Sequence, residues 1–233
     1  NPSRSDRYDT EIAEVDAQIG RLLGSVRNRI DDDRLLIFFA ADHGESLGEH
    51  DFWGHGRFLY EPSLRIQMGF TWKGSIEQQT VDAQATIVDL APTVLELVGL
   101  AIPETFRGES WAGVLTGRAD AVAQARCYQA HRGAVHGAPE SERARSKGLL
   151  SVGRTDGDRK EIIVIKGNQR LLFDVEKDPQ ELRALVEPGS PPSAELVQCM
   201  GEISEGLGSL DRLKVKKLDD ETVEQLRALG YLE

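Results

Sequence analysis

The chain has 233 residues, enough for one large domain or for one domain with a smaller one beside it. Hydrophobic residues make up 39% and charged residues 29% of the chain, which is typical of a globular protein. The net charge of −11 argues against nucleic acids and anionic membrane surfaces as partners, and the longest apolar run, over 35–41, is too short to span a membrane.

The first half of the chain predicts helices that alternate with strands. Apolar residues at steps of three or four predict an amphipathic helix over 8–29. The unbroken apolar run over 35–41 favours a strand that is buried on both faces. A strand over 64–72, a helix over 86–98 and a short helix over 109–116 follow. A helix followed by a buried strand is half of an α/β repeat.

The second half of the chain has a different texture. Residues 132–147 are rich in glycine, alanine, serine and charge, and predict a loop. Three short strands separated by turn residues are predicted over 148–153, 161–166 and 169–174. They indicate a small antiparallel meander. Two more helices are predicted, over 193–206 and 219–229.

Residues suited to chemistry are concentrated directly after the predicted strand 35–41. Three of the five histidines, His43, His50 and His55, lie within thirteen residues. If the strand is parallel, Asp42 leaves it at the carboxyl end, where open α/β sheets bind ligands. A carboxylate suits a hard cation, an imidazole suits a borderline metal, and a histidine can bind an anion or carry a proton. Asp42 and His43 are therefore candidate metal ligands, and His55 is a candidate functional residue.

Each of these residues could instead have a purely structural role. An aspartate after a strand often only forms a turn, and a histidine in a loop is more often solvated than bound to a ligand. A solvated or locally hydrogen-bonded loop is favoured for His50 and Asp51, and a surface position for His131 and His136.

The start of the chain and its cysteines add two expectations. The chain begins with Asn1 and not with a methionine, so we expect an interior start, as in a fragment or a processed chain; it shows no signal peptide. Cys127 and Cys199 are too few for a disulfide framework or a zinc knuckle, and they leave the redox compartment open.

The order of residues around the histidines resembles the sulfatase family of the alkaline phosphatase superfamily. The resemblance runs through Ala41–His50, Trp53–Gly56 and Leu59–Arg65, with a dozen distinctive positions in the same order. Further stretches that resemble the family lie at Tyr8–Gly20, Val88–Leu100, Phe173–Leu182 and Leu218–Leu232. The resemblance covers nearly the whole chain, but only the C-terminal part of the family's length.

The resemblance implies a metal-dependent enzyme that hydrolyses sulfate esters. It implies a divalent cation, most often Ca²⁺ with Mn²⁺ or Zn²⁺ as alternatives, and a formylglycine nucleophile made from the Cys or Ser of a Cys/Ser-x-Pro/Ala-x-Arg motif. Asp42 and His43 match metal-ligating positions of the family. His55 matches a position that contacts the sulfate or the leaving oxygen, which gives it a catalytic and substrate-binding role.

The chain departs from the family in two respects. Neither Cys127 nor Cys199 lies in the nucleophile motif, and the pair of aspartates expected near the family's N-terminus is absent from the sequence. We therefore expect the formylglycine and the remaining metal ligands in an N-terminal portion of the same protein, joined to this chain covalently or by association. Alone, the chain is expected to be inactive.

The resemblance also implies an architecture. Residues 1–118 are expected to form the C-terminal part of an α/β domain with a partial alkaline-phosphatase-like mixed sheet and flanking helices. Residues 119–187 are expected to form a small four-stranded antiparallel sheet, and residues 188–233 a helical tail.

Other functions stay open. One alternative is a phosphodiesterase or phosphonate monoester hydrolase of the same superfamily. Another is a non-catalytic binding domain. Such a domain could form a homo-oligomer, because an incomplete sheet exposes an edge that can pair with a second copy. The expected substrate is a sulfate ester of a small molecule or glycan. Localisation is unknown, and a periplasmic or extracellular parent protein fits a family whose members are often exported.

Overall fold

The computed structural model describes residues 3–122, 124–131, 149–187 and 189–210. The helix predicted over 219–229 and the loop predicted over 132–147 lie outside these ranges, as does His136. Within the described ranges, no helix is both long and apolar enough to cross a bilayer.

The chain divides into two compact units. The first unit comprises Asn1–Gly54 and Pro62–Gln124, and the second comprises His55–Glu61 and Ala125–Glu233. A short segment from the middle of the first half, residues 55–61, therefore groups with the C-terminal unit.

The elements up to residue 124 are mostly short. In chain order they are α1 (Arg4–Arg27), β1 (Ile37–Ala40), β2 (Ser46–Leu47), β3 (Trp53–Gly54), α2 (Glu61–Leu64), β4 (Met68–Thr71), α3 (Leu90–Leu97) and α4 (Ala112–Leu115). Single turns of 3₁₀ helix lie at Asp32–Arg34, Glu49–Asp51 and Ile87–Asp89.

Helix α1 confirms the helix predicted near the start of the chain. A capping box begins it, in which the Ser3 hydroxyl accepts the Asp6 N–H at 3.1 Å and the Asp6 carboxylate accepts the Ser3 N–H at 2.8 Å. All of α1 is described, and none of its residues is buried. Its apolar side chains Ile12, Val15 and Leu22 are each more than half exposed.

Strands β1 and β4 pair in antiparallel register, with Ile37 opposite Thr71 and Ala40 opposite Met68. The prediction of a strand here is confirmed, but the prediction that it is buried on both faces is wrong. Phe38 and Phe39 point to opposite faces of β1, and each is 50% exposed. Among the described residues, β4 is the only strand that pairs with β1, so the sheet is two strands wide and offers few neighbouring side chains to cover Phe38 and Phe39.

The buried part of the first unit surrounds α3. The Asp89 carboxylate accepts the N–H groups of Thr86 and Glu109, both at 2.8 Å. The Thr93 hydroxyl accepts the Trp111 N–H at 3.0 Å and donates to the Asp89 carbonyl at 2.6 Å. Asp89 and Thr93 are each 1% exposed, so hydrogen bonds from buried polar groups tie α3 to the segment that leads into α4.

The second unit is built on a four-stranded antiparallel sheet with the order β5-β6-β7-β8. Its elements are β5 (Arg126–His131), β6 (Leu149–Asp156), β7 (Arg159–Val164), β8 (Gln169–Asp174) and α5 (Ala194–Leu210). The predicted antiparallel sheet, its three located strands and the helix near 193–206 are confirmed. The pattern of residues did not locate β5.

One face of this sheet packs against α5. Val152 and Ile163 from the sheet and Leu196 and Cys199 from the helix are each 3% exposed or less and form one apolar cluster. Burying such side chains is the main favourable contribution to the stability of a small unit.

A disulfide joins Cys127 in β5 to Cys199 in α5, two residues that are 72 positions apart. Two cysteines do not make a framework, as the sequence indicated, but they do make one long-range bond. The sequence left open whether the compartment is reducing or oxidising. In the structure the two cysteines are in the oxidised form, and disulfides persist in oxidising compartments.

Candidate active site

Asp42 and His43 lie just beyond the end of β1, after Ala41, close to where the sequence predicts. The Asp42 carboxylate accepts the His43 N–H at 3.0 Å, which forms a tight local turn. His43 Nδ1 lies 2.9 Å from the Gly44 carbonyl oxygen, and because a carbonyl can only accept, Nδ1 is the donor. Nε2 on the other side of the ring lies 3.7 Å from the second carboxylate oxygen of Asp42.

Gly44 fixes the chain after this pair. Its N–H donates to the Ser63 carbonyl at 3.0 Å. A Cβ at position 44 would lie 2.1 Å from the Pro62 carbonyl oxygen, so only glycine fits. The residue after the candidate ligands is therefore held against α2 by backbone contacts.

The loop that follows is a small hairpin. Ser46 pairs with Gly54 and Leu47 with Trp53, and the hairpin turns through the 3₁₀ segment Glu49–Asp51. His50 and Asp51 both have positive φ angles, near 52° and 54°, which is the conformation of a tight turn. The local-loop interpretation of these two residues is consistent with this geometry.

His55 begins the segment that belongs to the second unit. It is exposed, and Gly54 and Gly56 on either side both have positive φ angles. Further along the segment, Leu59 is buried at 3% exposure. The segment thus combines an exposed imidazole at one end with a buried anchor a few residues later.

His131, which the sequence assigns to the surface, is partly exposed at the end of β5. One ring nitrogen lies 2.9 Å from the Gln129 side-chain oxygen. Burial lowers the pKa of this imidazole.

The donor set of Asp42 and His43 fits a divalent cation in part. Carboxylates and imidazoles are ligand types that such metals use. Among the described residues, however, no group of three or more His, Cys, Asp or Glu side chains could hold a metal ion. A complete site with these two residues needs further ligands from elsewhere.

Comparison with known proteins shows which family part of the chain resembles. Residues 2–100 match the family model described as Sulfatase. An N-acetylglucosamine-6-O-sulfatase of Bacteroides thetaiotaomicron is 34% identical over 109 residues, which is 46% of this chain and 19% of the relative. Residues 2–100 are therefore similar to the sulfatase family. This family is part of the alkaline phosphatase superfamily, as the sequence motifs implied.

The sulfatase likeness extends beyond the matched region. An arylsulfatase of Clostridium perfringens is 25% identical over 183 residues, which is 77% of this chain. A protein solved in complex with its substrate D-glucosamine-2-N,6-O-disulfate has a TM-score of 0.65 and 26% identity over 88% of this chain. A phosphonate monoester hydrolase of Agrobacterium radiobacter shares the fold, with a TM-score of 0.61 and 24% identity over 90% of this chain and 42% of its own.

These relatives are much longer than the parts they share with this chain. The alignments cover 35% of the Clostridium arylsulfatase and 41% of the disulfate-bound protein. The chain therefore corresponds to less than half of the sulfatases that it matches.

Proposed function

We propose that this chain is part of a metal-dependent sulfatase that hydrolyses sulfate esters. The observation that carries the proposal is the Asp42–His43 pair, which lies one residue after β1 in the region that matches the sulfatase family model and places Nε2 of His43 3.7 Å from a carboxylate oxygen of Asp42. In the proposal, these two residues hold one part of a divalent cation site, most often Ca²⁺, with Mn²⁺ or Zn²⁺ as alternatives. When bound, such a cation polarises the sulfate group and favours the ionised nucleophile.

The chain's own residues would act by binding and orienting. The Asp42 carboxylate supplies negative charge, and the His43 ring is oriented by its contact with the Gly44 carbonyl. His55 would bind substrate by donating a ring N–H to a sulfate oxygen, and would act in catalysis by giving a proton to the leaving alcohol oxygen. His55 is an exposed residue that lies between two glycines.

The nucleophile is proposed to lie in the N-terminal portion of a longer parent protein, outside this chain. Cys127 and Cys199 are bonded to each other, so neither is available as a formylglycine precursor. The short coverage of the relatives supports the same proposal, because a sulfatase of their length has room for the motif elsewhere.

A sulfated sugar is the substrate class that we favour. The relatives named above include an N-acetylglucosamine-6-O-sulfatase and a protein bound to a glucosamine disulfate. The shared fold of the phosphonate monoester hydrolase makes a phosphonate ester the second candidate.

The test uses the full-length parent protein and measures hydrolysis of a glucosamine 6-sulfate, an aryl sulfate and an aryl phosphonate monoester. Asp42→Asn and His43→Ala are each expected to lower kcat/KM for the sulfate by about 10²-fold and to reduce the bound metal content. Asp51→Asn is the matched control, because this exposed carboxylate lies in the neighbouring turn at a φ angle that asparagine tolerates.

Three results would contradict the proposal. The first is an Asp42→Asn enzyme with unchanged activity and metal content. The second is a parent protein that hydrolyses the phosphonate and not the sulfates, which would favour the second candidate. The third is turnover of an aryl sulfate by the purified 233-residue chain, because the nucleophile would then have to lie within it.

A further inference from the structure

The second unit contains a buried cluster of three charged side chains, which we call the ion cluster: Lys160, Glu61 and Glu181. Lys160 Nζ lies 2.8 Å from a carboxylate oxygen of Glu61 and 2.7 Å from one of Glu181. The side chains of Lys160 and Glu181 are both 0% exposed, and that of Glu61 is 28% exposed. Buried charges are expensive unless each is paired, so this lysine depends on both carboxylates.

Glu181 also bonds the backbone of the segment that carries His55. Its second carboxylate oxygen accepts the Glu61 N–H at 2.6 Å. The Glu181 carboxylate therefore binds both Lys160 of β7 and the backbone of Glu61, and Lys160 in turn binds the Glu61 carboxylate.

Glu181 is itself held in an unusual backbone conformation. Its φ angle is 53°, a left-handed value that non-glycine residues seldom adopt. Its N–H donates to the Asp178 carbonyl at 2.9 Å, and the Asp178 carboxylate accepts the N–H groups of Leu182 and Arg183 at 3.1 and 2.8 Å. The turn after β8 thus presents the Glu181 carboxylate to Lys160 at a cost in backbone strain.

Apolar contacts reinforce the same attachment. Leu59 is 3% exposed and lies against Gly153 of β6, where an added Cβ would come within 3.3 Å of it. The ring of Tyr60 packs edge-on against Phe173 of β8 with centroids 6.1 Å apart. Residues 59–61 are therefore fixed on the sheet of the second unit by three successive side chains.

We propose that Lys160 and Glu181 are positioning residues for His55: the ion cluster anchors Glu61, at the end of residues 55–61, to the small sheet and so limits where the His55 imidazole can lie. This inference rests on the proposed function, because it assigns the sheet of the second unit a part in sulfate ester hydrolysis. The lysine and glutamate contact no substrate in this scheme and act only through the segment.

The first experiment measures the anchoring itself and needs no enzymatic activity. In the full-length parent protein, hydrogen exchange of peptides that cover residues 55–61 is compared between wild type, Glu181→Ala and Glu181→Gln. Glu181→Ala removes the acceptor of the Glu61 N–H and is expected to speed exchange there by about tenfold or more. Glu181→Gln keeps an acceptor oxygen and leaves Lys160 paired with Glu61, so it is expected to rescue most of the protection.

The second experiment measures the consequence for catalysis. Glu181→Ala is expected to lower kcat on the order of tenfold with a smaller change in KM, because a misplaced catalytic group affects the transition state more than binding. In a His55→Ala background, Glu181→Ala should have little further effect, since the two residues act through one group. Lys160→Met provides a second variant that breaks the same cluster.

Glu161→Gln is the matched control. Like Glu181, Glu161 is a nearly buried glutamate, and it lies in β7. Its partners are Arg170, at 2.6 Å, and Ser193. None of these bonds reaches residues 55–61. It should lower thermal stability and leave kcat and exchange at residues 55–61 as in wild type.

The outcomes separate the two proposals. Unchanged exchange at residues 55–61 in a folded Glu181→Ala protein would overturn the anchoring. Faster exchange with an unchanged kcat, while His55→Ala is impaired, would overturn the positioning role. If His55→Ala itself retains full activity, the proposed role of His55 fails, and the positioning role fails with it, while the exchange experiment still decides the anchoring.

Discussion

The two units of this chain differ in what they bury. The second unit encloses an apolar cluster in which Val152, Ile163 and Leu196 are each 3% exposed or less. In the first unit, Phe38 and Phe39 of β1 are half exposed, and the apolar stripe of α1 is open to solvent. The residues that the first unit does bury fully include polar ones such as Asp89 and Thr93.

This difference shows which unit covers its own apolar faces. In the second unit, the apolar face of the sheet and the apolar face of α5 bury each other. In the first unit, the sequence of β1 is that of a strand covered on both faces, yet the described residues leave it half exposed. That mismatch supports the proposal that the sulfatase region functions with further chain, as in its longer relatives.

Removing the disulfide is expected to have the largest effect on the second unit. For a loop closed across 72 positions, the chain-entropy estimate of the stabilisation is about 4 kcal/mol. Cys127→Ser with Cys199→Ser should therefore lower the free energy of unfolding of this unit by that order, measured in urea with and without a reducing agent. A reducing agent that leaves wild-type stability unchanged would contradict the pairing.

A pair of leucine substitutions tests the contrast in burial directly. Leu196→Ala removes a fully buried side chain and should cost about 3 kcal/mol of unfolding free energy. Leu22→Ala removes a side chain that is 62% exposed and should cost less than about 1 kcal/mol in this chain. Equal losses would contradict the comparison, whereas a larger Leu22→Ala loss in the full-length parent would show that its surface is covered there.

The pH dependence of the unfolding free energy of the second unit is expected to be a smaller effect than the loss of the disulfide or of Leu196. Burial raises the pKa of Glu161, but hydrogen bonds from Ser193 and the Arg170 ion pair outweigh it and hold this pKa below its ordinary value. A lowered folded pKa contributes stability that is present above the unfolded value of about 4.3 and is lost as the pH falls through the folded value. Glu161→Gln should cost about 1 to 2 kcal/mol at pH 7 and flatten the pH dependence below about pH 4.5.

The measurement is urea unfolding of wild type and Glu161→Gln between pH 3 and 7, reported as a difference. Glu181 contributes with the opposite sign, because burial and the charge of Glu61 raise its pKa, but it is present in both proteins and cancels. Asp156→Asn is the control, since this 55% exposed carboxylate pairs with Arg154 at the surface. Parallel pH curves for wild type and Glu161→Gln would exclude the assigned role of Glu161.

Local patterns in the sequence predicted the elements well. The spacing of apolar residues located α1, and turn residues such as Gly157 separated the strands of the meander. Asp42, His43 and His55 were also singled out from the sequence, because their residue types and their order carry the family resemblance. These features depend on near neighbours in the chain, so a single sequence contains them.

Features that depend on distant pairings could not be predicted. Nothing in the pattern of β7 indicates that Lys160 is fully buried, since its partners Glu61 and Glu181 lie 99 and 21 positions away. The Cys127–Cys199 bond was missed for the same reason. Burial of β1 was wrongly expected because an apolar run indicates what a strand is suited to, and cover must come from other chain segments.

The disulfide also changes the covalent connectivity of the polypeptide. Cys127 and Cys199 close a ring of chain that contains β6, β7, β8 and Glu181. A single backbone cut by a protease anywhere inside this ring yields two pieces that migrate together until the bond is reduced. A nicked molecule would thus keep the four-stranded sheet, α5 and the ion cluster within one covalently linked molecule.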